Sequence, residues 1–238
     1  MDGMIAVAAV AALLLLVGGA LGLTQREGFS PRWLLAAAGL VLLNDFLLTR
    51  GYGLLPHLIP PSDWNWQGKV LALAATLAVA SLPLFGWRRS GLTLAQAKRS
   101  LKSCIPVALL YCGFFAVIAY AFPGDAVTPE TVAFQLTMPG LEEEPFYRGV
   151  LLLALNRAFS SRVRVLGVEW GWGAVLSCAL FGLAHAFGVS HGHFSFDAIT
   201  MALTALPSFI AVWLRLRTGS LLLPVVLHNF GNSISLLL

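Results

Sequence analysis

With 238 residues, 58% hydrophobic and only 11% charged, the chain has a mean hydropathy of +0.82. A soluble domain carries about 25% charged residues, so the composition excludes an ordinary soluble enzyme. The net charge of +4 is too small for a nucleic-acid-binding arm, and no nucleic-acid partner is expected.

Eight apolar segments of spanning length follow one another, at approximately 4–23, 33–49, 70–87, 103–122, 141–159, 172–190, 197–214 and 219–237. Each approaches the ~20 residues that a membrane helix needs. The expected fold is therefore all-α, a polytopic membrane bundle of about eight transmembrane helices in one domain over 1–238. Segment one has Asp2 and no Lys or Arg ahead of it. A cleaved signal peptide has a basic start, so this segment is expected to remain as a span. The breaks carry Pro, Gly and charge, as in Pro56 to Asp63 and Arg88 to Lys102. Within the second break, Leu94, Ala97 and Leu101 set among Lys98, Arg99 and Lys102 predict a short interfacial helix over 93–102. Thr128 to Met138 predicts a short helix or re-entrant piece. Cys104, Cys112 and Cys178 all lie in apolar runs, an odd count that argues against a disulfide framework.

Basic residues bias loops to the cytoplasmic side. Arg26 and Arg32, then Arg88, Arg89, Lys98, Arg99 and Lys102, then Arg157, Arg162 and Arg164, then Arg215 and Arg217 all fall on alternate loops. These are twelve of the 15 Lys and Arg residues. Arg50 and Lys69 oppose the pattern. The expected localisation is a bacterial-type plasma membrane, with both termini extracytoplasmic.

Chemistry is suggested by polar groups at apolar depth, where a charge costs about 2.5–3.5 kcal/mol on insertion scales. The run Pro139 to Gly149 holds Glu142, Glu143 and Glu144. Glu144 and Arg148 stand four apart on one helix face, so an ion pair between them is expected. Glu143 lies about 100° around the helix and has no local cation. Pro139-Gly140 predicts a chain break, and Pro145 a first helical turn, which would put the carboxylates at a helix N-terminus. A bland alternative is three acids at an aqueous interface. His185 lies late in segment six; His228 and Asn232 share one face near the middle of segment eight. Polar groups of membrane bundles face inward toward one another, which points to a single site.

Glu143-Glu144-x-x-x-Arg148, Phe181-x-x-x-His185 and His228-x-x-x-Asn232 resemble, in order and spacing, the three signatures of the CPBP intramembrane proteases, which include CAAX prenyl endopeptidases and Abi-type proteins. The resemblance covers roughly residues 128–238; the first 120 match only in being apolar. It implies a glutamate-dependent endopeptidase acting on a protein or peptide substrate in the bilayer. In that scheme Glu143 activates water, with His185 positioning it. His228 and Asn232 donate to the oxyanion, while Glu144 and Arg148 support the site. No cofactor is implied. The residues alone leave the roles of Glu143 and His185 open.

A zinc protease is the first alternative, with Glu143, His185 and His228 as ligands and a fourth position for water; no His-Glu-x-x-His run accompanies them. A transporter, or a non-proteolytic scaffold or immunity protein, is the second. Proton-coupled transport also uses intramembrane Glu and His, but no internal repeat is visible in the sequence. Ser177, Cys178 and Ser233 lack a nucleophile-elbow context. The orientation places the glutamates and His185 toward the extracytoplasmic side. The expected substrate is thus an exported or membrane-anchored peptide rather than a cytoplasmic prenyl-protein.

Overall fold

The computed structural model describes residues 2–56, 59, 62–122, 124 and 127–238. His57, Leu58, Pro60 and Pro61, within the expected break Pro56 to Asp63, lie outside them. The helices are α1 (Asp2–Thr24), α2 (Pro31–Thr49), α3 (Trp66–Ser81), α4 (Leu101–Ala121), α5 (Pro129–Glu144), α6 (Leu152–Ala158), α7 (Trp172–Ala186), α8 (Ala198–Thr218) and α9 (Leu222–Leu237). A π-helical turn, Pro145–Leu151, fuses α5 to α6 into one rod. Two antiparallel hairpins, β1 (Val163–Val165) with β2 (Val168–Trp170) and β3 (Phe187–Ser190) with β4 (His193–Phe196), cap opposite ends of α7. The fold is a helical membrane bundle. Among the described residues four helices, α1, α2, α4 and α8, are long and apolar enough to cross a bilayer, while α7 and α9 are shorter apolar helices.

The rod is the axis of the bundle. Val150, Leu151, Ala154, Leu155 and Ala158 are all buried, packed among α1, α2 and α7, and Leu152 is buried against α7 and α8. Outer helices show the reverse pattern. On α4 only Cys104 and Ala119 are buried, while Leu109, Leu110, Phe114, Val117 and Tyr120 are exposed. Such apolar exposure suits a helix bathed in lipid.

Three sequence expectations are corrected. The chain does not break at Pro139-Gly140; the helix runs through both residues. Proline removes one backbone donor inside a helix, and here Asn229 of α9 bonds the backbone on either side of Pro139. Its Oδ1 accepts from Gly140 N at 2.7 Å and its Nδ2 donates to Thr137 O at 3.1 Å. The glutamates therefore sit mid-rod, about 20 Å from its start at 1.5 Å per residue, and the helix-terminus dipole argument does not apply. Thr128 to Met138 is neither a separate helix nor a re-entrant piece but the first part of this rod.

The interfacial helix expected over 93–102 is absent too; helix begins only at Leu101. Its backbone is spent on tertiary bonds: Ala97 N donates to Thr218 O, and Ser220 Oγ donates to Thr93 O. Arg99 adopts a φ of 62°, which no α-helix tolerates. Segment six ends as helix at Ala186 rather than 190. The next residues pair as a hairpin whose two-residue turn, His191-Gly192, has positive φ at both positions, as a type I′ turn requires.

The α5–α9 contact generates a prediction. A Cβ on Gly140 would lie 2.5 Å from Asn229 Oδ1 and 2.7 Å from Val225 O, whereas one on Gly39 of α2 would meet nothing within 4 Å. Gly140→Ala should lower the thermal midpoint in detergent. Gly39→Ala should leave it unchanged or raise it, since Ala is favoured over Gly in a helix by up to about 1 kcal/mol. Equal effects of the two changes would refute close packing at Gly140.

Candidate active site

Three consecutive glutamates on a helix point in three directions, because each residue turns the side chain by about 100°. The site is built from what meets each of them. Glu144 faces α8 and α9. Its Oε1 lies 3.2 Å from Arg148 Nη1 and 2.7 Å from His228 Nδ1. Glu144 and Arg148 are buried almost completely, at 1% and 2% exposure. Arg148 Nη2 donates to Ser208 Oγ of α8 at 2.9 Å, and its guanidinium lies 4.0 Å from the centre of the Phe181 ring. The expected Glu144–Arg148 pair is present, and His228 extends it into a triad.

Glu143 is not free of cations, contrary to the sequence expectation. Lys69, in the first turn of α3, places Nζ 2.6 Å from Glu143 Oε1 and 2.7 Å from Glu142 Oε2. Asn65 caps α3 by accepting from Gly68 N at 2.9 Å. Trp66 Nε1 donates to Glu130 Oε1, and Trp64 Nε1 to Thr131 Oγ1, each at 3.0 Å. Trp64 also stacks on Phe134. These bonds pin the start of α3 to the start of α5 and direct Lys69 at the carboxylates. Lys69 had counted against the charge pattern as a loop residue; its charge is instead matched inside the bundle.

The second oxygen of Glu143 points elsewhere. Oε2 lies 3.9 Å from His185 Nε2 and 3.7 Å from His228 Nε2, with no hydrogen-bond partner among the described residues. His185 Nδ1 lies 2.9 Å from Phe181 O, one turn back on α7. A carbonyl only accepts, so that contact puts a ring proton on Nδ1 and turns Nε2 toward Glu143. Phe181 thus serves both halves of the site: its carbonyl fixes the His185 tautomer, and its ring covers Arg148. Asn232, one turn beyond His228 on α9, donates from Nδ2 to Gln135 Oε1 at 3.3 Å.

All four candidate catalytic residues, Glu143, His185, His228 and Asn232, line one cavity of about 500 Å³ enclosed by α4, α5, α8 and α9. That volume is typical of a small-molecule or peptide-segment site. Its far walls are apolar, with Phe115, Phe134, Leu203 and Ile210.

Sequence reasoning missed three contributors. Lys69 looked like a loop charge because it precedes an apolar run. Glu142 was given no role of its own, although it is fully buried against Lys69. Asn229 sat unread beside His228, and no spacing rule singles it out.

Residues 126–234 match the family model for type II CAAX prenyl endopeptidases, Rce1-like. This match to the Rce1-like model agrees with the resemblance of the three motifs to the CPBP/CAAX protease family. The matched stretch contains all three motifs, and the match supports a membrane endopeptidase at the level of the family. No curated protein and no solved structure matches the chain.

Among the described residues no group of three or more His, Cys, Asp or Glu is placed to hold a metal ion. Of the ligands considered for zinc, Glu143 already bears an ammonium at 2.6 Å, a cation that would compete with a metal for the carboxylate.

The buried pair can be tested directly. Removing one partner of a buried ion pair costs about 3–5 kcal/mol. Arg148→Met and Glu144→Gln should therefore each lower the thermal midpoint of the detergent-solubilised protein, and the double variant should recover part of the loss. Wild-type midpoints for both single variants would rule out a stabilising pair.

Proposed function

We propose that the protein is a glutamate-dependent intramembrane endopeptidase that uses no metal and cleaves a membrane-anchored peptide. The observation that carries this reading is the division of labour within one carboxylate: Glu143 Oε1 is held by Lys69 while Oε2 faces the imidazoles of His185 and His228. Separations of 3.9 and 3.7 Å suit a water lying between the groups rather than direct bonds.

Glu143 takes a proton from that water, and His185 Nε2 accepts its other hydrogen to orient it. The oxygen attacks the scissile carbonyl carbon. The developing oxyanion receives hydrogen bonds from His228 Nε2–H and Asn232 Nδ2–H. The tetrahedral intermediate then collapses with cleavage of the C–N bond, and Glu143 returns the proton to the departing amine. For His228 to donate from Nε2 while Nδ1–H binds Glu144, the ring is an imidazolium.

A Glu143→Gln variant should lose about 10²–10⁴-fold in peptide cleavage while inserting and folding normally. Wild-type activity should survive a strong chelator. Loss on chelation with rescue by zinc would move Glu143, His185 and His228 to the metal-ligand reading.

The cavity opens on the extracytoplasmic side in this reading, supported by the twelve basic residues on alternate loops. A prenylated protein C-terminus is the second reading, favoured by the description of the matched family model. In cells carrying a cysteine-free background, Ser195→Cys, in the β3–β4 hairpin, should react with an impermeant maleimide and Ser103→Cys should not. The opposite pattern would turn the site to the cytoplasm and favour the prenyl-protein substrate.

A further inference from the structure

A second cavity of about 310 Å³ lies on the other side of the catalytic carboxylate, between α1, α2, the rod and α7. It shares Lys69, Glu143 and His185 with the first cavity, so these three side chains form a septum between the two. From the septum the lining runs past Glu142 to Asn44, Asp45 and Thr49 on α2, ending beside Ala6 in the early turns of α1 and Phe187 at the start of β3. Asp45 and Thr49 stand one turn apart. Asn44 is buried, Asp45 is half-buried and Thr49 is exposed. Polar groups thus descend from the end of α2 to the buried glutamates, while Val10, Val41, Leu180 and Leu183 close the remaining wall. Asp2 at the head of α1 accepts from His191 N at 2.8 Å, which ties α1 to the β3–β4 hairpin at the mouth of this cavity.

We propose that this second cavity is the water supply of the active site, delivering the hydrolytic water to Glu143 from the face opposite the substrate. Its size and lining favour water over other occupants. At about 30 Å³ per molecule it holds about ten waters. A ladder of Asn, Asp, Thr, Lys and Glu along one wall offers water hydrogen-bond partners, polar groups that a lipid tail would leave unsatisfied. Hydrolysis consumes one water per bond cleaved, and a lipid-facing substrate seated in the first cavity would block access from that side. Supply through the septum lets peptide and water reach Glu143 without crossing. The inference rests on the proposed peptidase reading, but its first test does not require activity.

In a background lacking the native cysteines, Ala6→Cys and Val41→Cys should both react with a small charged methanethiosulfonate, which attacks only hydrated thiols. An unreactive Val41→Cys in protein that still cleaves peptide would show a dry cavity and overturn this proposal alone. Modification of Ala6→Cys with a bulky reagent should then lower kcat several-fold with KM unchanged, and dithiothreitol should restore it. Full activity of the modified protein would show that water arrives by another route. If no peptide is cleaved by any variant, labelling at both positions still reports the hydrated path, and the failure belongs to the peptidase reading.

Discussion

Three carboxylates held side by side at bilayer depth must be matched by opposite charge, and much of the bundle's arrangement follows from that demand. An unpaired ion in the interior costs several kcal/mol, and here the acids are met by cationic side chains from three directions. Lys69 reaches in from α3 to Glu142 and Glu143, Arg148 from the rod itself to Glu144, and His228 from α9 to Glu144. The relative positions of α3, the rod and α9 are thereby tied to one cluster. His228, which bonds Glu144 in this cluster, is also the oxyanion donor of the proposed mechanism.

Rigidity in the backbone serves the same cluster. Two prolines would ordinarily interrupt the rod. Asn229 bonds the backbone on either side of Pro139, and at Pro145 the helix widens into a π turn, a feature that often marks functional sites. Ser177 of α7 donates to Tyr147 O within that turn at 2.8 Å, so α7 is anchored one face away from where His185 must sit. The ring of Phe181 fills the space between Arg148 and the two imidazoles. The proposed mechanism places its carboxylate on this rod, where electrostatic catalysis calls for preorganised groups.

The two cavities give the septum of Lys69, Glu143 and His185 its meaning. One cavity has extended apolar walls and suits a lipid-embedded peptide; the other is narrower, with a polar ladder along α2. Intramembrane hydrolysis must bring an apolar substrate and a polar reactant to the same atom, and a carboxylate between two compartments meets that need without opening the bundle to bulk water.

Composition and patterning alone were enough to establish a helical membrane bundle, because mean hydropathy and segment length are local properties. The i,i+4 spacing of Glu144 and Arg148, and of His228 and Asn232, was legible for the same reason: helix geometry fixes which residues share a face. The helical run through Pro139-Gly140 was not legible, since the Asn229 side chain that permits it comes from 89 residues later in the chain. Nor was the absence of the helix expected over 93–102, whose backbone is taken by Thr218 and Ser220. Lys69 is the sharpest case. Its sequence neighbours describe a charge at the edge of an apolar run, and only the packing of α3 against the rod turns it into the partner of Glu142 and Glu143. Local sequence fixes periodicity and charge, but which distant side chain satisfies a buried group is decided by tertiary packing.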